Sequence, residues 1–359
     1  MTKNDVTLKP GVVTGGDYQT LVAAAKRGGY ALPAVNVTGS NSVNAVLEAA
    51  ARARSDVIIQ LSNSGAQFYA GKGLSDGFQA KVLGAVAAAG HVHLLAEHYG
   101  ICVVVHTDHA NKGLIPWVEA LIEASERQFE KSGRPLYSSH MLDLSAETID
   151  FNLAESARLL ERMQKIGMSL EIELGVTGGE EDGVGTEMVE GADNSKLYTQ
   201  PEDVLKAYEK LEPLGHFSVA ASFGNVHGVY KPGNVKLRPE ILKASQSLVR
   251  ERHKTEKNPL NLVFHGGSGS EKEKIEEAVL YGVFKMNIDT DTQFAFSKPV
   301  GDFVKKYPRA FEVQIEDDGT PYKKQYDPRG YLRLGEVGIV ERLQQAFRDL
   351  GSVGKSIAG

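Results

Sequence analysis

Short runs of β-branched and aliphatic residues recur along the chain, each followed by a longer stretch of helical character. The runs are ALPAVN (31–36), DVIIQLS (56–62), ICVVVH (101–106), SSHMLDL (138–144), SLEIEL (169–174), FSVAAS (217–222), NLVFHG (261–266) and VFKMNID (283–289). Between them, SNSVNAVLEAAARA (40–53) opens with Ser and Asn cap candidates, and ETIDFNLAESARLLERMQKIG (147–167) ends in basic residues and then Gly, as a helix C-terminus should. Strand alternating with helix implies a parallel sheet, and eight runs is the number a closed barrel requires.

The expected fold is therefore α/β: a (β/α)8 TIM barrel with long loop insertions and a C-terminal helical extension, as a single domain over 1–359. Periodicity alone leaves an open doubly wound sheet standing, but its dinucleotide fingerprint is missing, because the first run leads into AVNVTGSNS rather than G-x-G-x-x-G. Three connections are longer than a barrel needs: roughly Asn63 to Gly100, Gly175 to His216 and Thr290 to Arg333. Long connections in a compact domain are usually functional loops or partner-binding additions.

A hydrophobic share of 42% with 24% charged residues is that of a soluble globular protein with a large core, and excludes disorder across the whole chain. The net charge of −6 argues against a nucleic-acid binder while leaving a local phosphate site open. The one cysteine, Cys102, lies in the apolar run ICVVV and reads as a buried small hydrophobe in a reducing compartment. No signal-peptide core or bilayer-length apolar run is present, so no membrane association is expected and the protein is read as cytoplasmic.

Polar chemistry is concentrated where the runs end: Asn36, Ser62, HTDH (106–109), Asp143, Glu173, NVHG (225–228), HGGSGS (265–270) and NIDTDT (287–292). In a barrel these ends meet at one face, the C-terminal mouth where active sites lie. His109, His227 and His265, with Glu173, suit a divalent transition metal such as zinc with room for substrate. His91, His93 and His98 fall in a helix without the i, i+4 spacing of ligands and read as structural, as do His140, His216 and His253.

Asp108 reads either as a proton carrier beside the metal or as a cap or anchor for a ligating histidine. GVTGGEEDGVGTEM reads either as a solvated acidic loop or as a lid that brings a carboxylate to the substrate. Gly266, Gly267, Ser268 and Gly269 let backbone N–H groups approach an anion, and Asn287, Asp289 and Thr290 follow the eighth strand. Loops after strands seven and eight are where barrel enzymes most often bind phosphate.

With HTDH, EIELGVTGGEEDG, ASFGNVHGVYKPGNV, FHGGSGS, KMNIDTDTQ and YDPRGYLR present in that order, the chain closely resembles the class II, metal-dependent fructose-bisphosphate aldolases, in their longer form. The resemblance runs from LKPGVVTGGDY to RLQQAFRDL, nearly the whole length. It implies reversible cleavage of fructose 1,6-bisphosphate to dihydroxyacetone phosphate and glyceraldehyde 3-phosphate through a zinc-stabilised enediolate, as in glycolysis and gluconeogenesis.

It further implies that His109, His227 and His265 bind the catalytic zinc, with Glu173 and Asp143 at an alternate metal position. Asp108 would exchange a proton with the C4 hydroxyl, and Glu181 with the triose phosphate. Gly228, Gly266, Ser268, Asp289 and Thr290 would hold the ketose-side phosphate, near a monovalent cation, K+ or Na+, bound by carbonyls including that of Val226. Asn36, Ser62, Asn287 and Arg333 match substrate-contacting positions, with Arg333 reaching the other phosphate across a homodimer interface.

Three alternatives stay open at this level. One is tagatose 1,6-bisphosphate cleavage by the same metal chemistry, and another is a Schiff-base aldolase using Lys285, which alternation places on the face of Asn287 and Asp289. The third is a non-catalytic barrel that binds sugar phosphates, which would have no use for the two proton carriers.

Overall fold

All eight runs form strands: β1 Leu32–Asn36, β2 Val57–Leu61, β3 Cys102–Ala110, β4 Ser139–Leu142, β5 Ser169–Leu174, β6 Phe217–Ala221, β7 Leu262–Phe264 and β8 Val283–Ile288. The structure is a computed structural model and describes residues 6–175, 178–181, 184–186, 198–227, 237–267 and 270–359; of 178–181, 184–186, 226 and 227 it describes the backbone only. Each strand pairs in parallel with the next, and β8 returns to β1 through Met286 opposite Pro33 and Ile288 opposite Val35. The ring is closed, as expected for a TIM barrel, so no barrel strand is left as an open edge.

Because side chains alternate along a strand, each strand feeds two cores. Ile59, Val103, Val105 and Ile172 face outward and pack under the surrounding helices. Leu32, Ala34, Ile58, Cys102, Val104, Met141, Ala220, Val263 and Phe284 face inward and share a cluster with Tyr18, Leu21, Val22 and Ala25 of the helix Gly15–Gly28. That first helix thus plugs the bottom of the barrel, and the apolar floor ends where the polar interior begins.

The long connections carry structure of their own. The first holds the helices Asn63–Ala70 and Gly77–Leu95, packed so closely that a Cβ at Gly84 would lie 1.7 Å from the Ala66 carbonyl oxygen. The last supplies the C-terminal extension: helix Pro328–Asp349 packs between the helices Ser40–Ala53 and Thr290–Lys306. Among the described residues, no helix is long and apolar enough to cross a membrane.

The chain end is tied to the bottom of the barrel by one buried carboxylate. Asp56 accepts hydrogen bonds from Cys102 N–H (2.8 Å), the Ser356 hydroxyl (2.6 Å) and Ile357 N–H (2.9 Å). Asp56→Ala would strand these donors, and each buried unsatisfied group costs about 1–3 kcal/mol. The variant is expected to unfold at clearly lower denaturant, read by circular dichroism, whereas an unchanged midpoint would show that the tail is not held this way.

Candidate active site at the barrel mouth

Strict alternation would send neighbouring residues Asp108 and His109 to opposite faces of β3. The register with β4 avoids this: Thr107 pairs with His140 but Ala110 with Leu142, so β3 carries one extra residue. At that bulge His109 takes a left-handed φ of 42°, a conformation that costs a non-glycine residue roughly 1–3 kcal/mol. Asp108 points inward by alternation, His109 is turned inward by the bulge, and Ala110 returns to the outer core.

His109 Nε2 then lies 2.9 Å from His265 Nδ1. On its other side, His109 Nδ1 is 3.2 Å from Asp143 Oδ2 and 3.6 Å from Glu173 Oε2. His265 Nε2 sits 2.8 Å from Glu171 Oε1, while its Nδ1 is 3.9 Å from Glu173 Oε2. A carboxylate only accepts, so these partners assign the protons to His109 Nδ1 and His265 Nε2. His109 Nε2 and His265 Nδ1 thus face each other across hydrogen-bonding distance, and both could turn lone pairs to a cation placed between them. Asp108, His109 and His265 form one group of donor atoms that could hold a metal, His109, Asp143 and Glu173 a second, and His106, Asp108 and Glu171, deeper in the barrel, a third.

Charge and burial fit that arrangement. Burial opposes the charge on Asp143, yet the hydrogen bonds from His109 and Ser145 outweigh it and hold the carboxyl below the usual range. For His265, burial outweighs the Glu171 hydrogen bond and holds the imidazole below its ordinary value, as a neutral metal ligand requires. A cavity of about 520 Å³ opens on the Glu173 side, walled by Ser145, Asn152, Gly175, Tyr198 and Thr199. It flanks the paired imidazoles rather than enclosing them.

Asp108 is fully buried and held by three side-chain amides: Gln60 Nε2 donates to Oδ2 at 2.8 Å, Asn36 Nδ2 to Oδ2 at 3.2 Å, and Asn287 Nδ2 to Oδ1 at 3.1 Å. These three amides fix the orientation of the carboxylate, which a helix cap would not require.

Two residues absent from the sequence-based expectations join the site. Gln60 bonds both Asp108 and Asn36 Oδ1. Glu171, on the inner face of β5 two residues before Glu173, bonds His265 and Lys285. Both could have been found: each is a polar residue inside a run otherwise buried on both faces, in phase with a site residue at its end. Lys285 is 1% exposed and gives its ammonium to both Glu171 oxygens at 2.8 and 3.0 Å, so a substrate carbonyl cannot reach it to form a Schiff base.

Elsewhere the expectations sort by position. Ser62 caps the helix Asn63–Ala70 by accepting from Gly65 N–H, at the end of β2. Gly266 has φ 62° directly after His265, and the side chain of Asn225 donates to the His265 carbonyl at 2.9 Å, bracing the sixth loop against the seventh. Asp289 stands at the N-cap position of the helix that Thr290 opens at the end of β8, and its side chain accepts from Gln293 Nε2 at 2.9 Å. Arg333 lies on the outer helix layer, paired with Glu48 (2.6 Å) and Glu336 (2.9 Å) rather than facing this chain's mouth. His227 and Glu181 fall on strands of which only the backbone is described, and Gly228 and Ser268 lie outside the described residues. His91 and His93 bond Asn44 and the Leu136 carbonyl, and His140 is buried against Thr107 and pushed down to about 3.

The family model for "Fructose-bisphosphate aldolase class-II" matches residues 16–355. The chain belongs to the class II fructose-bisphosphate aldolase family. It is 54% identical over 352 residues to a fructose-bisphosphate aldolase of Haemophilus influenzae, covering 96% of this chain and 97% of that one. It is 53% identical over 351 residues to one of Edwardsiella ictaluri, with the same coverages. The crystal structure of the Campylobacter jejuni fructose-bisphosphate aldolase superposes with a TM-score of 0.88 at 51% identity, over 99% of this chain and all of that one. The class II family is metal-dependent, and the described residues include groups of donor atoms that could hold an ion.

His109→Ala removes the residue shared by the first two of the three donor groups. It is expected to weaken divalent-ion binding by more than the about 10–100-fold that loss of an outer-shell partner costs. Metal content after dialysis checks this, and full retention by a folded variant would exclude His109 as a ligand.

Proposed function

We propose that the chain cleaves fructose 1,6-bisphosphate reversibly to dihydroxyacetone phosphate and glyceraldehyde 3-phosphate in the cytoplasm, with zinc as the ion held by His109, His227 and His265. The observation that carries this reading is the facing of His109 Nε2 and His265 Nδ1, 2.9 Å apart, beside the buried carboxylate of Asp108. When bound, zinc supplies Lewis-acid polarisation of the substrate carbonyl.

The chain's own residues account for the proton movements. As the C3–C4 bond breaks, Asp108 takes the C4 hydroxyl proton, and the aldehyde leaves with the C4 carbonyl. The electron pair stays on C3, to which Glu181 delivers a proton, and both transfers reverse in synthesis. The amides of Gln60, Asn36 and Asn287 keep Asp108 fixed for this exchange. Each such carrier is typically worth about 10²–10⁴ in rate.

Gly228, Gly266, Ser268, Asp289 and Thr290 are assigned to one phosphate, at the loops after β6, β7 and β8, where backbone N–H groups and a helix start suit an anion. Asn36, Ser62 and Asn287 contact the sugar, Glu173 and Asp143 offer the ion a second position, and K+ or Na+ lies near the Val226 carbonyl. Arg333, turned outward on this chain, serves the second phosphate of a partner protomer in a homodimer.

Triose phosphate release from fructose 1,6-bisphosphate, followed in a coupled assay, is expected to vanish after EDTA treatment and return with zinc. Activity that survives thorough metal removal, trapped by borohydride, would overturn the metal reading. Asp108→Asn is expected to lower kcat by about 10²–10⁴ while zinc content and thermal midpoint stay near wild type. A variant of near-normal rate would remove Asp108 from the proton exchange.

A further inference from the structure

Beneath the paired imidazoles lies a second polar layer. Glu171 is 1% exposed; its Oε1 accepts from His265 Nε2 at 2.8 Å and from Lys285 Nζ at 3.0 Å, and its Oε2 from Lys285 Nζ at 2.8 Å. His106 Nε2 stands 3.6 Å from Oε2, and its Nδ1 meets Ser139 Oγ at 2.8 Å. A buried ion pair on its own is poor evidence of purpose, since well-packed apolar residues often serve stability equally well. What distinguishes this one is its third member: the carboxylate spends an oxygen on the imidazole nitrogen that faces away from the mouth.

We infer that Glu171 is a positioning residue that fixes His265 as its Nε2–H form, so that Nδ1 is the nitrogen turned to the metal, and that Lys285 holds Glu171 in place for this task. The inference rests on the proposed metal site at His109, His227 and His265. The two-point contact from Lys285 leaves the carboxylate one orientation, and that orientation presents a pure acceptor to His265. A ring with its proton on Nδ1 would instead aim an N–H at His109 and lose the Glu171 bond. Outer-shell carboxylates that orient a metal-binding histidine in this way contribute about 10–100-fold to metal affinity.

Glu171→Gln tests the point with little change of shape. The amide oxygen is drawn to the Lys285 ammonium, which leaves the amide N–H₂ against His265 Nε2 and makes that nitrogen the acceptor. Zinc affinity of the purified protein, measured by competition with a chromophoric chelator, is expected to fall about 10–100-fold. In the metal-free protein labelled with ¹⁵N-histidine, the His265 resonances, assigned by their loss in His265→Asn, should move from the Nε2–H to the Nδ1–H pattern. The thermal midpoint of the metal-free variant is expected to fall, because the Lys285 ammonium stays buried without its carboxylate, so both readings are taken at a temperature where circular dichroism shows the variant folded.

Unchanged zinc affinity or an unchanged His265 pattern in folded Glu171→Gln would overturn the inference. Should that variant not fold, Glu171→Leu/Lys285→Met replaces the ion pair by apolar groups of similar size and leaves the His265 Nε2–H without this acceptor. The same loss of affinity is expected there, and wild-type zinc binding would again overturn the assignment. If the wild-type protein itself binds no zinc, the proposed metal site fails first, an outcome visible before any variant is made.

Discussion

In a closed parallel barrel every strand commits alternate side chains to a narrow interior, and the arrangement at the mouth follows from that constraint. A strand obeying it delivers one inward residue for every two in sequence. Asp108 and His109 are adjacent, and both are needed on the same side. The extra residue in β3 and the left-handed His109 break the alternation at that one point. A second irregularity, between β7 and β8, lets Phe284 join the apolar floor while Lys285 also points inward. Strain of about 1–3 kcal/mol at His109 is the kind of local cost that a well-packed barrel can absorb and that clusters at functional sites.

The interior also has an unbalanced charge. Among the described residues, Asp108, Glu171 and Glu173 are buried there with one ammonium, that of Lys285. Burial alone would push carboxyl groups toward their neutral forms. Glu171 escapes because, against burial, the Lys285 charge and the two imidazoles hold it well below the usual range. Asp108 is served by amides, which orient without neutralising. Around His109, the carboxylates of Asp143 and Glu173 bring donor atoms close enough together to hold a cation.

Much of this was readable beforehand for identifiable reasons. Strands buried on both faces produce near-continuous apolar runs, so all eight announced themselves, and barrel topology then carried each run's end to one mouth. The bulge has no clear signal in the run, since histidine, though among the residues that tolerate a positive φ, does not mark one as glycine does. Glu171 and Gln60 were overlooked because attention to run ends passes over polar residues in mid-strand, although SLEIEL places two glutamates in phase. The outward setting of Arg333 depends on how helix Pro328–Asp349 lies against helix Ser40–Ala53, a docking that sequence spacing does not encode.

The barrel keeps its two demands at opposite ends. At the bottom, the plug helix buries apolar surface and the Asp56 clamp accepts three hydrogen bonds, which favours a single rigid arrangement. At the top, imidazoles face each other and a residue sits in a strained conformation, neither of which favours folding. A buried polar network of this size would be costly in an ordinary core. Here it stands on a rigid floor through the Glu171–Lys285 layer, so tolerating that cost and holding the ligands in place become the same structural problem.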